Sequence, residues 1–258
     1  MTFKHGGDLG DLIYALPTIK ALGGGDLFLD GTAVHPNRGG PRVPLTMEAA
    51  APILPLLNEQ PYIHSVQPWE GGKVDVDFTP FRMEILVERR DMKNRELPLR
   101  NLAIVQAGIA SRSLGGQSIQ IDGPWLTLFG MNYEDDVIFA RSARYHNPRF
   151  PWRGAIEKYA GRATFLGLPV EHAAFCEEFG ITAADVPYYP TANLLEAAQV
   201  INECSLFIGG QSCLYPIAEG LGKRAVLEVW PVLPSNLFFR EGVVHGWNEH
   251  VVLPEIDP

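Results

Sequence analysis

The stretch Leu206-Phe-Ile-Gly-Gly-Gln-Ser-Cys-Leu-Tyr-Pro-Ile-Ala-Glu-Gly-Leu-Gly-Lys-Arg-Ala-Val-Leu-Glu-Val229 decides the fold. An apolar run at 206–209 leads through Gly-Gly into a helical pattern over 212–221, which Gly222 stops, and a second apolar run follows at 225–229. Short apolar runs separated by a helix of about ten residues are the pattern of a βαβ unit in a parallel sheet. The same alternation extends upstream. Strands are expected at 136–141, 163–167 and 185–189, and helices at 152–160, 170–179 and 193–204. Asn193 is placed to cap the last of these helices, with Glu196 at the capping-box position. This half reads as a doubly wound α/β domain.

The first half begins the same way, with a strand at 1–5, a glycine loop at 6–10, a helix at 11–22 and a strand at 26–29. Beyond it come a proline-rich helix near 46–57, β-like runs at 63–66 and 74–78, and a helical pattern near 102–110. The polar stretch Phe129-Gly-Met-Asn-Tyr-Glu-Asp135 is the natural boundary. The expected organisation is a first α/β domain over 1–133 and a second over 134–230, facing each other across a cleft. A terminal segment, 231–258, would pack at or across that cleft.

Composition narrows the function. Of 258 residues, 46% are hydrophobic and 20% charged, which excludes a disordered chain. With 21 Lys and Arg against 30 Asp and Glu, the net charge of −9 disfavours general attraction to nucleic acid or to an anionic membrane. The scattered cysteines Cys176, Cys204 and Cys213 do not form a disulfide framework and fit a reducing, cytoplasmic setting. Neither a signal peptide nor a membrane span is expected.

The chemistry concentrates in three places. His5-Gly-Gly-Asp-Leu-Gly-Asp11 sets Gly7, Gly10, Asp8 and Asp11 at a strand-to-helix turn, where glycine permits close approach of a ligand. The two carboxylates there read either as helix caps or as a general base. Phe139-Ala-Arg-Ser-Ala-Arg-Tyr-His-Asn-Pro-Arg-Phe-Pro-Trp152 supplies Arg141, Ser142, Arg144 and Arg149, which either clamp phosphate oxygens or pair with nearby acids such as Asp135 and Asp136. Gly209, Gly210, Gln211 and Ser212 offer donors and acceptors at the start of a helix. Cys213 in that loop and the His172 and Cys176 pair, four residues apart, are read as structural, and no metal site is expected.

The run Gly7-Asp-Leu-Gly-Asp-Leu-Ile-Tyr-Ala-Leu-Pro-Thr-Ile-Lys-Ala-Leu22 resembles the opening motif of the ADP-heptose glycosyltransferases, the heptosyltransferases. The segments 139–152 and 207–221 are similar to that family's second-domain entry and late donor-site motif. The resemblance implies a compact GT-B architecture of two Rossmann-like domains. It implies a nucleotide-diphosphate sugar as co-substrate, a hydroxyl acceptor, and an inverting reaction without metal or other cofactor. Asp11 matches the family's base, with Asp8 as the competing candidate, and Arg149 matches its basic residue near the diphosphate. Glu171 matches its ribose-contacting acid, although a glutamate in a first helical turn is also favoured by the helix dipole alone. Where the family has Asp-Thr/Ser-Gly and then His three residues later, this chain has Gln211-Ser212-Cys213 and then Pro216. Donor sugar and base therefore stay open, as does the acceptor, with a modified nucleobase as the one way nucleic acid would enter. A nucleotide-sugar 2-epimerase and a non-catalytic nucleotide-binding module are the alternatives.

Overall fold

A computed structural model of the chain describes residues 1–33, 45–85, 101–128, 137–232 and 234–256. It divides into two compact units, Met1–Thr127 and Leu128–Pro258. The boundary stretch read from the sequence, 129–135, lies outside the described residues, as do Asp135 and Asp136.

The first unit runs β1 (Thr2–His5), α1 (Leu9–Ile13), α2 (Leu16–Ala21), β2 (Gly25–Leu29), α3 (Met47–Ala50), α4 (Leu54–Asn58), β3 (Ile63–Pro68), β4 (Val76–Asp77) and α5 (Leu102–Ser113). Its strands pair in parallel in the order β3-β2-β1-β4. The helix expected over 11–22 is two helices. Proline at 17 lacks the N–H that would reach the Ile13 carbonyl, so the backbone bonds Ala15 N–H to Leu12 O and restarts. Pro52 and Pro55 divide the helix expected near 46–57 in the same way, and α3 ends at Ala50. The sheet has one fully buried face, built on Phe3, Leu27, Leu29 and Val76. On alternate positions Thr2, Lys4, Asp26 and Phe28 are half-buried, and the Lys4 ammonium lies 2.8 Å from Asp77 and 3.4 Å from Asp30.

The second unit runs β5 (Val137–Ala140), α6 (Trp152–Lys158), β6 (Ala163–Leu166), α7 (Pro169–Phe179), β7 (Tyr188–Tyr189), α8 (Leu194–Glu203), β8 (Leu206–Gly209), α9 (Leu214–Gly220), β9 (Ala225–Glu228) and β10 (Val243–Gly246). All its strand pairs are parallel, in the order β10-β9-β8-β5-β6-β7. Every residue of β5, β6, β8 and β9 is buried, which is why these strands read as unbroken apolar runs rather than alternating ones. One face carries an aromatic core in which Trp152 meets Phe139 edge-on at 5.6 Å and Phe175 at 5.2 Å. Helix α9 is buried along its whole length. Asn193 caps α8 by accepting from the N–H groups of Leu195 and Glu196. Glu196 reaches one residue further back than a capping box requires, to the Ala192 N–H. The segment from Pro231 supplies β10, the edge strand beside β9.

In each unit the chain reverses direction across its sheet at one point. The first sheet grows β1, β2, β3 to one side and then places β4 on the other side of β1. The second grows β5, β6, β7 to one side, and β8 then returns to the far side of β5. Ligands of open α/β sheets bind outside the carboxyl ends of the strands at such a reversal. That rule singles out the loops after β1 and β4 in one unit, and after β5 and β8 in the other.

Candidate active-site loops

In the first unit the loop after β1 is shaped by close packing. Gly7 donates its N–H to His5 Nδ1 at 3.1 Å, and a Cβ at Gly7 would lie 2.8 to 2.9 Å from His5, Asp11 and Phe81. Gly7 is thus needed for the fold of the turn itself. The helix begins earlier than the sequence indicates, so Gly10 lies inside α1 rather than in the loop. Asp11 Oδ2 accepts the Asp8 N–H at 2.9 Å, the contact of a capping acid. The same oxygen pairs with Arg82 Nη2, which also stands 3.2 Å from Asp8 Oδ2. Gln106 on α5 donates to the Asp11 carbonyl at 2.8 Å. One guanidinium therefore binds both carboxylates, and they differ in access: the Asp8 side chain is 38% exposed and that of Asp11 13%.

Arg82 and Gln106 went unread in the sequence. Arg82 follows β4 as the glycine loop follows β1, and only the pairing of those two strands brings it to Asp11 across 71 residues.

In the second unit the sequence-derived basic residues separate into different roles. Arg141, immediately after β5, is buried. Its Nε and Nη2 bond the two oxygens of Glu228 at 3.0 and 3.3 Å, and Nη1 bonds Glu178 at 2.5 Å. Glu228, itself fully buried, also accepts the Asn147 N–H at 2.7 Å. Arg149 lies on the surface, paired through two nitrogens with Glu249 at 3.0 and 3.1 Å, and those bonds hold the Glu249 carboxyl at about 2. Arg144 is exposed beside the loop. Of the three arginines it is the one without a carboxylate partner among the described residues.

The loop between them is a tight turn. Ser142 Oγ donates to the Arg144 carbonyl at 3.3 Å, and His146 Nε2 lies 2.6 Å from the Ser142 carbonyl. Tyr145 has φ 66°, the left-handed region, at a cost of about 1–2 kcal/mol for a residue with a side chain. Its ring meets that of Trp230, at the end of β9, with centroids 4.9 Å apart.

Around β8 the glycines serve packing. A Cβ on Gly209 would lie 2.7 Å from the Phe207 ring and 2.8 Å from the Ala140 carbonyl, and Gly210 donates its N–H to that carbonyl at 2.9 Å. Gln211 is a buried brace: it accepts the Trp230 N–H at 2.7 Å and donates to Asn236 at 2.8 Å. Ser212 is half-buried, and among the described residues nothing bonds its hydroxyl. Glu171 accepts the Leu168 N–H at 2.9 Å and so closes the first turn of α7. The charges of Glu171 and Arg144 both act on the Cys213 thiol, in opposite directions.

Burial pushes that thiol up to about 11, with Glu171 adding to the rise. Cys213 is therefore a protonated thiol at neutral pH. Its alkylation by iodoacetamide at pH 7.5, followed by peptide mass spectrometry, is expected to be at least ~100-fold slower than that of a free cysteine of pKa ≈ 8.5. Labelling at the free rate would place a thiolate in the loop.

Among the described residues no cluster of three His, Cys, Asp or Glu side chains is arranged to hold a metal ion, and no helix is long and apolar enough to cross a membrane. No protein-family profile and no curated protein matches the chain in sequence. Solved structures do match. The family 9 glycosyltransferase of Veillonella parvula superposes with a TM-score of 0.56 over 95% of this chain and 85% of that one, at 11% identity. The chain has the fold of the family 9 glycosyltransferases. Two Escherichia coli heptosyltransferases share it. WaaC, solved with ADP-2-deoxy-2-fluoro heptose, gives a TM-score of 0.57 at 12% identity over 96% of this chain and 94% of that one. ADP-heptose lps heptosyltransferase II gives 0.57 at 13% identity, over 95% and 89%.

Proposed function

We propose that this chain is a glycosyltransferase of GT-B type, moving a sugar from a nucleotide-diphosphate donor to a hydroxyl acceptor with inversion and without a metal. The observation that carries this reading is the carboxylate pair Asp8 and Asp11 at the first unit's chain reversal, in a fold shared along nearly its whole length with sugar transferases. In the proposed reaction the Asp11 carboxylate takes the proton of the acceptor hydroxyl as the hydroxyl's own oxygen attacks the anomeric carbon. The bond from that carbon to the diphosphate breaks on the opposite face, and the leaving oxygen carries the electron pair away. Arg144 and the Ser212 hydroxyl are the donors assigned to that developing charge. Glu171 is assigned to a ribose hydroxyl. Arg141 is assigned to bracing the loop, and Arg149 to the surface. The three cysteines are all free, in keeping with a reducing compartment.

One observation favours a second reading. Asp11 Oδ2 already serves a helix cap and an ion pair, the arrangement expected of a nucleotide-binding module that has no base to offer.

Thermal unfolding against a panel of nucleoside diphosphates and nucleotide sugars tests the shared premise. A ligand present at 100 times its dissociation constant is expected to add about 2.7 kcal/mol to stability. Stabilisation by none of them would sink both readings. Stabilisation together with nucleotide release in the presence of hydroxyl acceptors selects the transferase.

A further inference from the structure

Tyr145 is the one non-glycine residue in the left-handed region among the described residues. It comes from the loop after β5, whereas its ring partner Trp230 comes off β9, and β8 lies between those strands. The two rings therefore meet across the carboxyl end of β8. The Trp230 main chain is held by the bond from its backbone N–H to Gln211 Oε1. The planes of the rings lie 42° apart, and both residues are only half-buried. That distinguishes them from Trp152, Tyr159 and Tyr215, the core aromatics of this unit, which are buried to 2% exposure or less. A strained backbone that holds an aromatic ring at the surface, at the sheet's reversal, is not explained by core packing. Beside the pair stands the exposed Arg144, its guanidinium 5.2 Å from the Tyr145 ring.

We infer that Tyr145 and Trp230 form the platform on which the base of a nucleoside diphosphate stacks, with Arg144 turned to the phosphates. This rests on the donor site proposed above and adds the residues that grip its base. A stacking platform reads the π-face that every base has, so it contributes affinity without choosing the base. The choice would be left to hydrogen-bonding groups around it.

The test uses Tyr145→Gly and Tyr145→Phe in the full chain. Glycine adopts the left-handed conformation freely, so the first variant removes the ring and keeps the turn. Affinities for ADP, GDP, UDP and CDP are measured by calorimetry, and for inorganic pyrophosphate by competition, with thermal midpoints recorded alongside. Tyr145→Gly is expected to weaken the tightest nucleoside diphosphate roughly 5- to 100-fold, the range of one lost base–aromatic stack. Pyrophosphate affinity and the thermal midpoint are expected to hold, and Tyr145→Phe to bind as the parent does. Unchanged nucleotide binding in Tyr145→Gly, or an equal loss for pyrophosphate, overturns the inference and leaves the proposed donor site standing. A parent protein that binds none of the four nucleotides overturns the donor site itself.

Discussion

Asp11→Asn is expected to lower sugar transfer by about 10²- to 10⁴-fold, the usual worth of a positioned general base, while nucleotide binding stays within twofold of the parent. The substitution suits this site because the asparagine amide oxygen still accepts the Asp8 N–H that Asp11 Oδ2 accepts at 2.9 Å. The cap survives, while the basicity and the charge of the pair with Arg82 go. Arg82 keeps a carboxylate partner in Asp8, 3.2 Å away, so no stranded charge confuses the result. Asp8→Asn is the matched control, since the more exposed Asp8 shares the same guanidinium without sharing the proposed proton transfer. Initial rates of nucleotide release with saturating donor and acceptor give the comparison. Full activity in Asp11→Asn, with loss in Asp8→Asn, would move the base to Asp8. Full activity in both would end the carboxylate mechanism.

What the sequence made legible follows from where each residue's partners lie along the chain. Strands β5, β6, β8 and β9 are buried on both faces, so Val-Ile-Phe-Ala, Ala-Thr-Phe-Leu, Leu-Phe-Ile-Gly and Ala-Val-Leu-Glu stand out as runs between turn residues. The edge strand β10 has no such signature, because pairing with β9 rather than its own pattern defines it, whereas the short β4 lies inside the β-like run at 74–78. Periodicity also ran α1 and α2 together. Ile13, Leu16 and Ile19 keep helical spacing across Pro17, and spacing alone does not register a missing N–H.

The candidate sites show the same division. Asp8 and Asp11 are readable from a glycine turn that opens a helix. Arg82 is not, being 71 residues away, and Arg141 finds its acid 87 residues on in Glu228 rather than beside it in sequence. Tyr145 carries no local signal at all, since nothing in a tyrosine's own propensity announces a left-handed backbone.

The pairing of Arg141 with Glu228 leads to the largest expected change in stability. Their side chains are 4% and 0% exposed, so removing one leaves the other charged in the core of the second unit. Arg141→Met, which strands the buried Glu228, is expected to cost about 3–5 kcal/mol, the penalty for breaking a buried pair, and Glu228→Gln less, because Arg141 keeps Glu178. The larger cost corresponds to a fall of roughly 10 °C or more in the melting of this unit. The double variant is expected to recover most of the loss, because a buried ion pair contributes little over neutral groups that fill the same space. Glutamine at 228 still offers an oxygen to the Asn147 N–H, so the bond at 2.7 Å that ties the loop after β5 to β9 persists in the double variant. The same pair of substitutions also separates the two roles open to Arg141. A brace acts through the loop, so nucleotide affinity lost in Arg141→Met should return with stability in the double variant. A phosphate ligand acts through its charge, so affinity would stay lost after the melting temperature had recovered. The geometry argues for the brace: Nε and Nη2 face Glu228 and Nη1 faces Glu178, which directs the guanidinium toward carboxylates on both sides.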